Sequence, residues 1–203
     1  MPTDQIVAYF VRHGTTLLNE ENKFRGPLNP PLDEKGIQDA GKLGAYFQNI
    51  DLGSSWSSDT KRAETTAKAI LDPKGKSPEV TPDLRAWNVG YLAGEKKDEH
   101  QDEVGYFQSN PTEEIPNGES LNKFRQRVKP RILKAIHTGW KSGKPSLVVA
   151  HSSIIHELGN ILHGDHSATL VKPGGVVGVF HDGKHFTAKP LVRPEKGDHP
   201  YAS

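Results

Sequence analysis

The chain has 203 residues, a formal net charge of +1 and no cysteine. The balanced charge provides no general field for nucleic acid or a membrane surface, and the lack of thiols excludes disulfides, thiolate nucleophiles and cysteine-ligated metals. The length suits one domain, expected over residues 1–203, with enough chain to bury a substantial core. The N-terminus lacks the basic-then-apolar layout of a secretory signal, and no apolar run reaches the ~20 residues of a membrane helix. The expectation is a soluble, cytoplasmic protein. Ten histidines are the unusual feature of the composition.

In chain order, "IVAYFV" (Ile6 to Val11) is a β-branched and aromatic run, which predicts a strand buried on both faces. "NPPLDEKG" predicts a turn and then a helix with Asp33 as N-cap, whose apolar face carries Ile37, Ala40, Gly44 and Phe47. "SSWSSDTKRAETTAKAIL" predicts a short strand ending near Ser57, then a helix capped by Ser58 or Asp59 and stopped by Pro73 and Gly75. Residues 94–118 are charged and poor in aliphatics, and read as an excursion from the core, a candidate lid. A helix rich in Arg and Lys follows, from about Ser120 to Thr138. Leu147 to Ala150 predict a second buried strand. The next helix has Ile154, Leu158, Ile161 and Leu162 as its stripe and Gly164 as its stop. "VVGVFHDGKHFTAKPLV" predicts a hairpin turning on Asp182-Gly183. Strands alternating with helices imply an α/β domain with a largely parallel sheet, whose ligands sit outside the carboxyl ends of the strands.

Arg12-His13 follows the first strand directly, and His151-Ser152-Ser153 follows the "LVVA" strand in the same way. With both strands central, the two histidines project into one crevice. A neutral imidazole is a competent nucleophile near neutral pH. Attack on a phosphate ester would give a phosphohistidine that water can cleave. The phosphoryl oxygens call for forked cationic donors, which favours arginine. Arg12 adjoins the histidine, and Arg62 lies near the start of a helix whose N-terminus also favours an anion. Singly, each residue also fits a solvated loop, a cap or a helix surface; their joint appearance at strand-to-helix junctions is the signal.

Five segments in order resemble the histidine phosphatase superfamily, also called the phosphoglycerate mutase-like family. "VRHGTTLLNEENKFRG" is similar to its RHG signature, "PLDEKGIQDA" to "PLTxxGxxQA", and "SSDTKRAETTA" to "SSDLxRAxxTA". "PNGES" is similar to "PxGES", and "VVAHSS" to the second-histidine motif. The resemblance implies a three-layer α/β/α sandwich. It implies His13 as the residue that becomes phosphorylated, with Arg12, Arg62 and His151 completing a phosphate pocket. Asn19 matches a pocket-lining position, and Ser152 contributes through its backbone N–H. No metal or organic cofactor is implied. The partner expected is a small phosphorylated substrate, with neither nucleic acid nor membrane.

Two departures stand out. The family's segment "LxExxxGxxxG" supplies a carboxylic acid, but here it reads "LRAWNVGYLAG", with Ala86 at the glutamate position and Asn88 nearby. A general acid contributes typically ~10²–10⁴-fold. Glu119 is the best replacement in the sequence, with Glu95, Asp98 and Glu99 as others; a role for Glu119 at the start of the following helix is the plainer alternative. A leaving group that needs no acid, or a phospho-ligand binding module without catalysis, would also accommodate Ala86. The second departure is "KFRG" in place of "RFQG": Arg25 and Lys23, with Lys61 and Arg85, would add positive charge at the pocket mouth. "HELGNILH" begins like a metal-binding HExxH, but Asn160 stands at the second histidine position, and His163 and His166 lack a clear third ligand. His181 and His185 flank the hairpin turn as exposed β positions. The leading expectation is a histidine acid phosphatase-type phosphohydrolase, with a phosphoglycerate mutase-type phosphotransferase next. A charged, open excursion favours hydrolysis, because a mutase must keep water from its intermediate.

Overall fold

The longest apolar runs become strands covered on both sides. The computed structural model describes residues 5–192, so the ends of the expected 1–203 domain lie outside the described residues. β1 (Gln5–Arg12) buries Val7 to Val11 in succession. A short helix α1 (Leu17–Glu20) and the longer α2 (Glu34–Phe47) follow. Asp33 caps α2 as expected, its carboxylate accepting from the Gly36 N–H at 2.6 Å. The buried face of α2 runs through Gly36, Ala40, Leu43 and Phe47, while Ile37 is exposed; helical spacing placed Ile37 on the seam, but the packed stripe is rotated by one position.

β2 (Ser55–Ser58) runs one residue beyond Ser57 and leads to α3 (Lys61–Leu71). The cap position of α3 is Thr60, not Ser58 or Asp59: Ser58 is still in the strand, and the Asp59 carboxylate is held by Arg85 at 2.6 and 2.7 Å. A 3-10 turn at Asp72–Lys74 and Gly75 in the left-handed region (φ 63°) end the helix. β3 (Glu79–Thr81), an edge strand of three residues, was too short to show in the pattern.

The 94–118 excursion holds a helix, α4 (Gln101–Ser109), which the charged sequence did not announce. Its start is tied to residues 22–25 by backbone bonds from Phe24 N to Glu95 O, from Gly94 N to Phe24 O and from Lys97 N to Asn22 O, each 2.9 Å. Ile115 anchors its end in the core.

α5 (Leu121–Ser142) continues a turn past Thr138, with Ser120 as a bonded N-cap and Gly143 as the left-handed stop. β4 (Ser146–Ala150) is buried throughout, and α6 (Ser152–His163) ends at Gly164 (φ 82°). β5 (Val176–His181) and β6 (Phe186–Val192) form the expected hairpin. Its closing bond runs from Asp182 N to His185 O, so the two turn residues are Gly183 and Lys184, one place on. The Asp182 side chain accepts from the N–H groups of Lys184 and His185 instead.

The sheet order is β3-β2-β4-β1-β5-β6. β1 pairs with β4, β4 with β2 and β2 with β3 in parallel, while β5 and β6 add antiparallel. The sheet is therefore mixed, with a parallel four-stranded part. On one face, Phe10, Val148 and Ala150 pack against α5 and α6 through Val128, Ile132, Ile154 and Leu158. On the other, Tyr9, Val11 and Val149 meet α2 and α3 through Leu43, Phe47, Ala67 and Ile70. The result is the expected α/β/α layering. Adjacent β1 and β4, in register at Arg12 and Ala150, carry both histidine segments to one end of the sheet.

The loop after β1 lies directly on the start of α2. A Cβ on Gly36 would stand 2.3 Å from the Thr15 carbonyl oxygen and 2.8 Å from its nitrogen, a contact with backbone that has no room to turn aside. Gly36→Ala is expected to lower stability by about 1–3 kcal/mol, measured by chemical denaturation. An unchanged midpoint would show that this packing does not constrain the loop.

Candidate active site

His13 and His151 are buried at the ends of β1 and β4, at 0% and 1% exposure. Their ring centroids are 5.2 Å apart, with the planes at 65°. The His13 backbone is fixed by a bond from its N–H to Ala150 O, 3.0 Å, which ties one histidine to the strand of the other. His13 Nδ1 lies 2.6 Å from Gly14 O. A carbonyl only accepts, so Nδ1 carries the proton and Nε2 the lone pair. That Nε2 is buried with no partner. His151 is turned the other way: its Nε2 meets Ser58 Oγ at 3.0 Å, and its Nδ1 has no partner.

Three guanidinium groups close around the rings. Arg62, on the first turn of α3, is completely buried and uses one nitrogen on Leu28 O at 2.8 Å. Arg12 donates to Val171 O at 2.7 Å, and Arg25 is buried to 9% exposure. Arg12 Nε, Arg25 Nη1, Arg62 Nε and Arg62 Nη2 have no partner. With the two imidazole nitrogens, they make six of the nine unpartnered buried side-chain polar atoms among the described residues. Buried polar groups are rarely left in this state, and such concentrations call for an explanation.

Electrostatics reflects the crowding. Burial pushes Arg62 down to about 9 and Arg12 to about 10, in both cases with Arg25 adding repulsion; burial alone pushes Arg25 to about 10. Burial, His151 and then the three arginines hold His13 well below its ordinary value. His151 is lowered by burial, Arg62, Arg25, Arg127 and Arg12. The charges that move these groups are all cationic. Lys97 lies near them: half-buried in the excursion, it is pushed down to about 8 by burial, Arg25 and Arg12, against a smaller opposing pull from Asp98. Sequence reasoning missed Lys97, and "GEKKD" contains nothing to separate it from solvated neighbours.

The motifs support one another. Thr15 Oγ1 donates to Asp33 Oδ1 at 2.6 Å, and Asp33 N bonds to Thr15 O at 3.1 Å. Gly14 N donates to Thr66 Oγ1 at 3.2 Å, within the "KRAETTA" helix. The histidine loop is thus pinned to both α2 and α3. Asn19 Oδ1 accepts from Thr16 N and Thr16 Oγ1 at 3.1 and 3.0 Å, closing a local cap. Ser152 is the first residue of α6, beside His151. Ser58, read in the sequence as a possible cap, instead bonds the second histidine.

Ala86 is half-buried at the position where the resembled motif has its carboxylate. Glu119 is engaged by others. Its Oε1 accepts from Asn88 N at 2.9 Å and Arg127 Nη2 at 2.6 Å, and its Oε2 from Arg127 Nε at 3.1 Å. Arg127 also donates to the carbonyls of Asp83, Arg85 and Ala86 at 3.0, 2.8 and 2.8 Å. This pair sews the 83–88 segment to α5. Asp98 accepts from Asn22 at 2.8 Å, Glu99 pairs with Lys96 at 3.7 Å, and the Glu95 side chain is exposed.

Of the four extra basic residues, Arg25 enters the crevice. Lys23 pairs with Glu21 at 2.9 Å, Arg85 with Asp59, and Lys61 is exposed. Around the incomplete metal motif, Asn160 donates to Glu157, which pairs with Arg125, and His163 bonds with the Ala188 backbone. His166 stacks on His156 at 4.8 Å. Among the described residues, no group of three or more His, Asp or Glu converges as a metal site. His185 is exposed, whereas His181 is half-buried against Phe186 and Trp140.

The model of the histidine phosphatase superfamily (branch 1) matches residues 8–176. A relative named "Probable phosphoglycerate mutase GpmB" from Erwinia tasmaniensis is 32% identical over 161 residues, covering 77% of this chain and 74% of that protein. The protein of the same name from Yersinia pestis is 32% identical over 148 residues, covering 70% and 68%. Among solved structures, phosphoglycerate mutase from Bacillus anthracis superimposes with a TM-score of 0.75 at 28% identity, covering 91% of both chains. A putative alpha-ribazole-5'-P phosphatase from Escherichia coli, at 20% identity, shares the fold with a TM-score of 0.74 over 90% of this chain and 94% of its own. The architecture is a phosphoglycerate mutase-like fold, and the chain belongs to the histidine phosphatase superfamily.

Proposed function

We propose that the protein is a phosphohydrolase that cleaves a small phosphorylated compound through a phosphohistidine at His13. The observation that carries this reading is the group of six unpartnered buried atoms: one nucleophilic lone pair facing four guanidinium N–H groups and a second imidazole nitrogen. The guanidinium groups supply donors for phosphoryl oxygens, and their mutual repulsion is relieved by a dianion. His13 is held with Nδ1 protonated and Nε2 free, so it starts each cycle as a nucleophile. His151 Nδ1 is placed to bind a phosphoryl oxygen once protonated. Arg12, Arg25, Arg62 and Lys97 bind the phosphoryl group, and Asn19 and Ser152 stand at the pocket margin. Glu119 acts as a positioning residue through Arg127, not as the acid.

Hydrolysis is favoured over transfer by the exposure of most of the 94–118 excursion, which leaves water a route to the intermediate. The mutase reading draws on the names of the relatives; product analysis with phosphoglycerates separates the two.

Incubation with nitrophenyl phosphate is expected to give an acid-labile phosphoenzyme that His13→Ala abolishes. Turnover that persists without label at His13 would overturn the mechanism. Arg62→Ala is expected to lower kcat/KM by about 10²–10³-fold, the loss typical of a donor to transition-state charge; a near-normal value would place Arg62 outside the chemistry. Glu119→Gln is expected to reduce turnover of nitrophenyl and alkyl phosphates by similar factors, because it loosens a segment and removes no proton donor. A loss confined to the alkyl ester would make Glu119 the acid. Lys97 is protonated below about 8 and attracts an anion there. KM is therefore expected to rise as pH passes upward through about 8, and Lys97→Met to remove that rise. An unaltered profile in the variant would exclude Lys97 from substrate binding.

A further inference from the structure

Thr60 holds the N-cap position of α3, yet its side chain makes no cap hydrogen bond. A threonine there ordinarily accepts from a backbone N–H of the first turn. The Thr60 hydroxyl is released from the helix and turned elsewhere. It accepts from Ser58 Oγ at 3.4 Å, and Ser58 Oγ meets His151 Nε2 at 3.0 Å. Three groups, all buried, thus form a chain from His151 to Thr60.

The far end of this chain opens on a cavity of about 290 Å³. Thr60 lines it together with Ala86, Gly26, Asn88 and Glu119. This is the space beside the position where the resembled motif has its carboxylate, and the same motif set has leucine where this chain has Thr60. The carboxylates that line the cavity are each held by an arginine: Glu119 by Arg127, and Asp83 by Arg131 at 2.7 and 2.8 Å. Thr60 lines this cavity, and its hydroxyl connects through Ser58 to His151.

We propose that Thr60 is the proton donor to the leaving group, supplied from His151 through Ser58, and that the cavity beside Ala86 receives the leaving alcohol. This rests on the phosphohydrolase reading and names its missing acid. With a phosphoryl dianion bound, His151 is the imidazolium: Nδ1–H donates to a phosphoryl oxygen and Nε2–H to Ser58 Oγ. His13 Nε2 forms the bond to phosphorus, and the bond from phosphorus to the leaving oxygen breaks with its electron pair on oxygen. That oxygen takes the Thr60 hydroxyl proton, Thr60 takes the proton of Ser58, and Ser58 takes the Nε2 proton of His151. The products are the alcohol, phospho-His13 and neutral His151. In the second step water attacks phosphorus and the pair of the P–N bond returns to His13. One water proton passes through Thr60 and Ser58 to His151 Nε2, which restores the imidazolium. The 3.4 Å contact is long for a hydroxyl pair, as catalytic hydrogen bonds often are before substrate binds.

The test compares nitrophenyl phosphate, whose leaving group needs little protonation, with glycerol phosphate, whose leaving group needs it fully. In Thr60→Val, kcat/KM for glycerol phosphate is expected to fall about 10²-fold or more beyond any fall for nitrophenyl phosphate. Thr60→Ser is expected to keep the wild-type ratio, and Ala86→Glu added to Thr60→Val to restore it. Equal losses on the two esters, or a Thr60→Ser variant as selectively impaired as Thr60→Val, would overturn the proposal. Phospho-His13 trapped from nitrophenyl phosphate in the wild type and in Thr60→Val keeps the two readings apart. Label at His13 with equal losses overturns the relay alone, and absence of label in the wild type overturns both.

Discussion

Positive charge is buried at the ends of β1 and β4 with no counter-ion among the described residues, and much of the local architecture holds it there. A buried guanidinium without a partner is costly, and Arg62 is wholly enclosed. The fold carries that cost in part by attaching two of the groups to rigid backbone. Arg62 is fixed through Leu28 O and Arg12 through Val171 O, so one fork arm is anchored and the rest faces the crevice. Burial, and then the neighbouring cations, lower the pKa of both histidines. On the proposed function, a phosphoryl dianion would answer both conditions at once, pairing the arginines and allowing His151 to charge.

Holding like charges together demands stiffness around them. The loop after β1 has no latitude: Gly14 is tied to Thr66, Thr15 to Asp33, and the loop rests on Gly36. Opposite this wall, Arg127 spends all its donors on Glu119 and on the carbonyls of the 83–88 segment. Glu119 and Arg127 therefore brace the 83–88 segment and line the cavity beside Ala86. With alanine at position 86 that wall is intact, and the cavity beside it is lined by Thr60 from the α3 cap as well.

Much of the fold was legible because it depends on local pattern. β1 and β4 declared themselves as apolar runs, Asp33 as a cap, and Gly75 and Gly164 as stops. The misreadings have local causes as well. α4 was hidden because its surface is almost entirely polar, with Val104 and Phe107 alone leaning on the core. The hairpin turn moved by one residue because Asp182 makes its bonds to the backbone ahead of it. Thr60 took the cap position because β2 ran one residue longer and Arg85 drew Asp59 away.

Residue order by itself determined β1, β4 and most of the helices, and the position of each histidine just after its strand, because burial and turn chemistry act over a few neighbouring positions; that the two strands are neighbours was decided by the sheet. Family membership was legible in the same way, from five short segments in order. Which cations turn inward was decided only by the tertiary structure. Arg25 and Lys97 enter the crevice while Lys23 and Arg85 are held by Glu21 and Asp59. The fate of Glu119 also rested on Arg127, and that of Ser58 on His151, 93 residues away. Side-chain pairing across such separations follows from how the layers pack, and no local pattern encodes it.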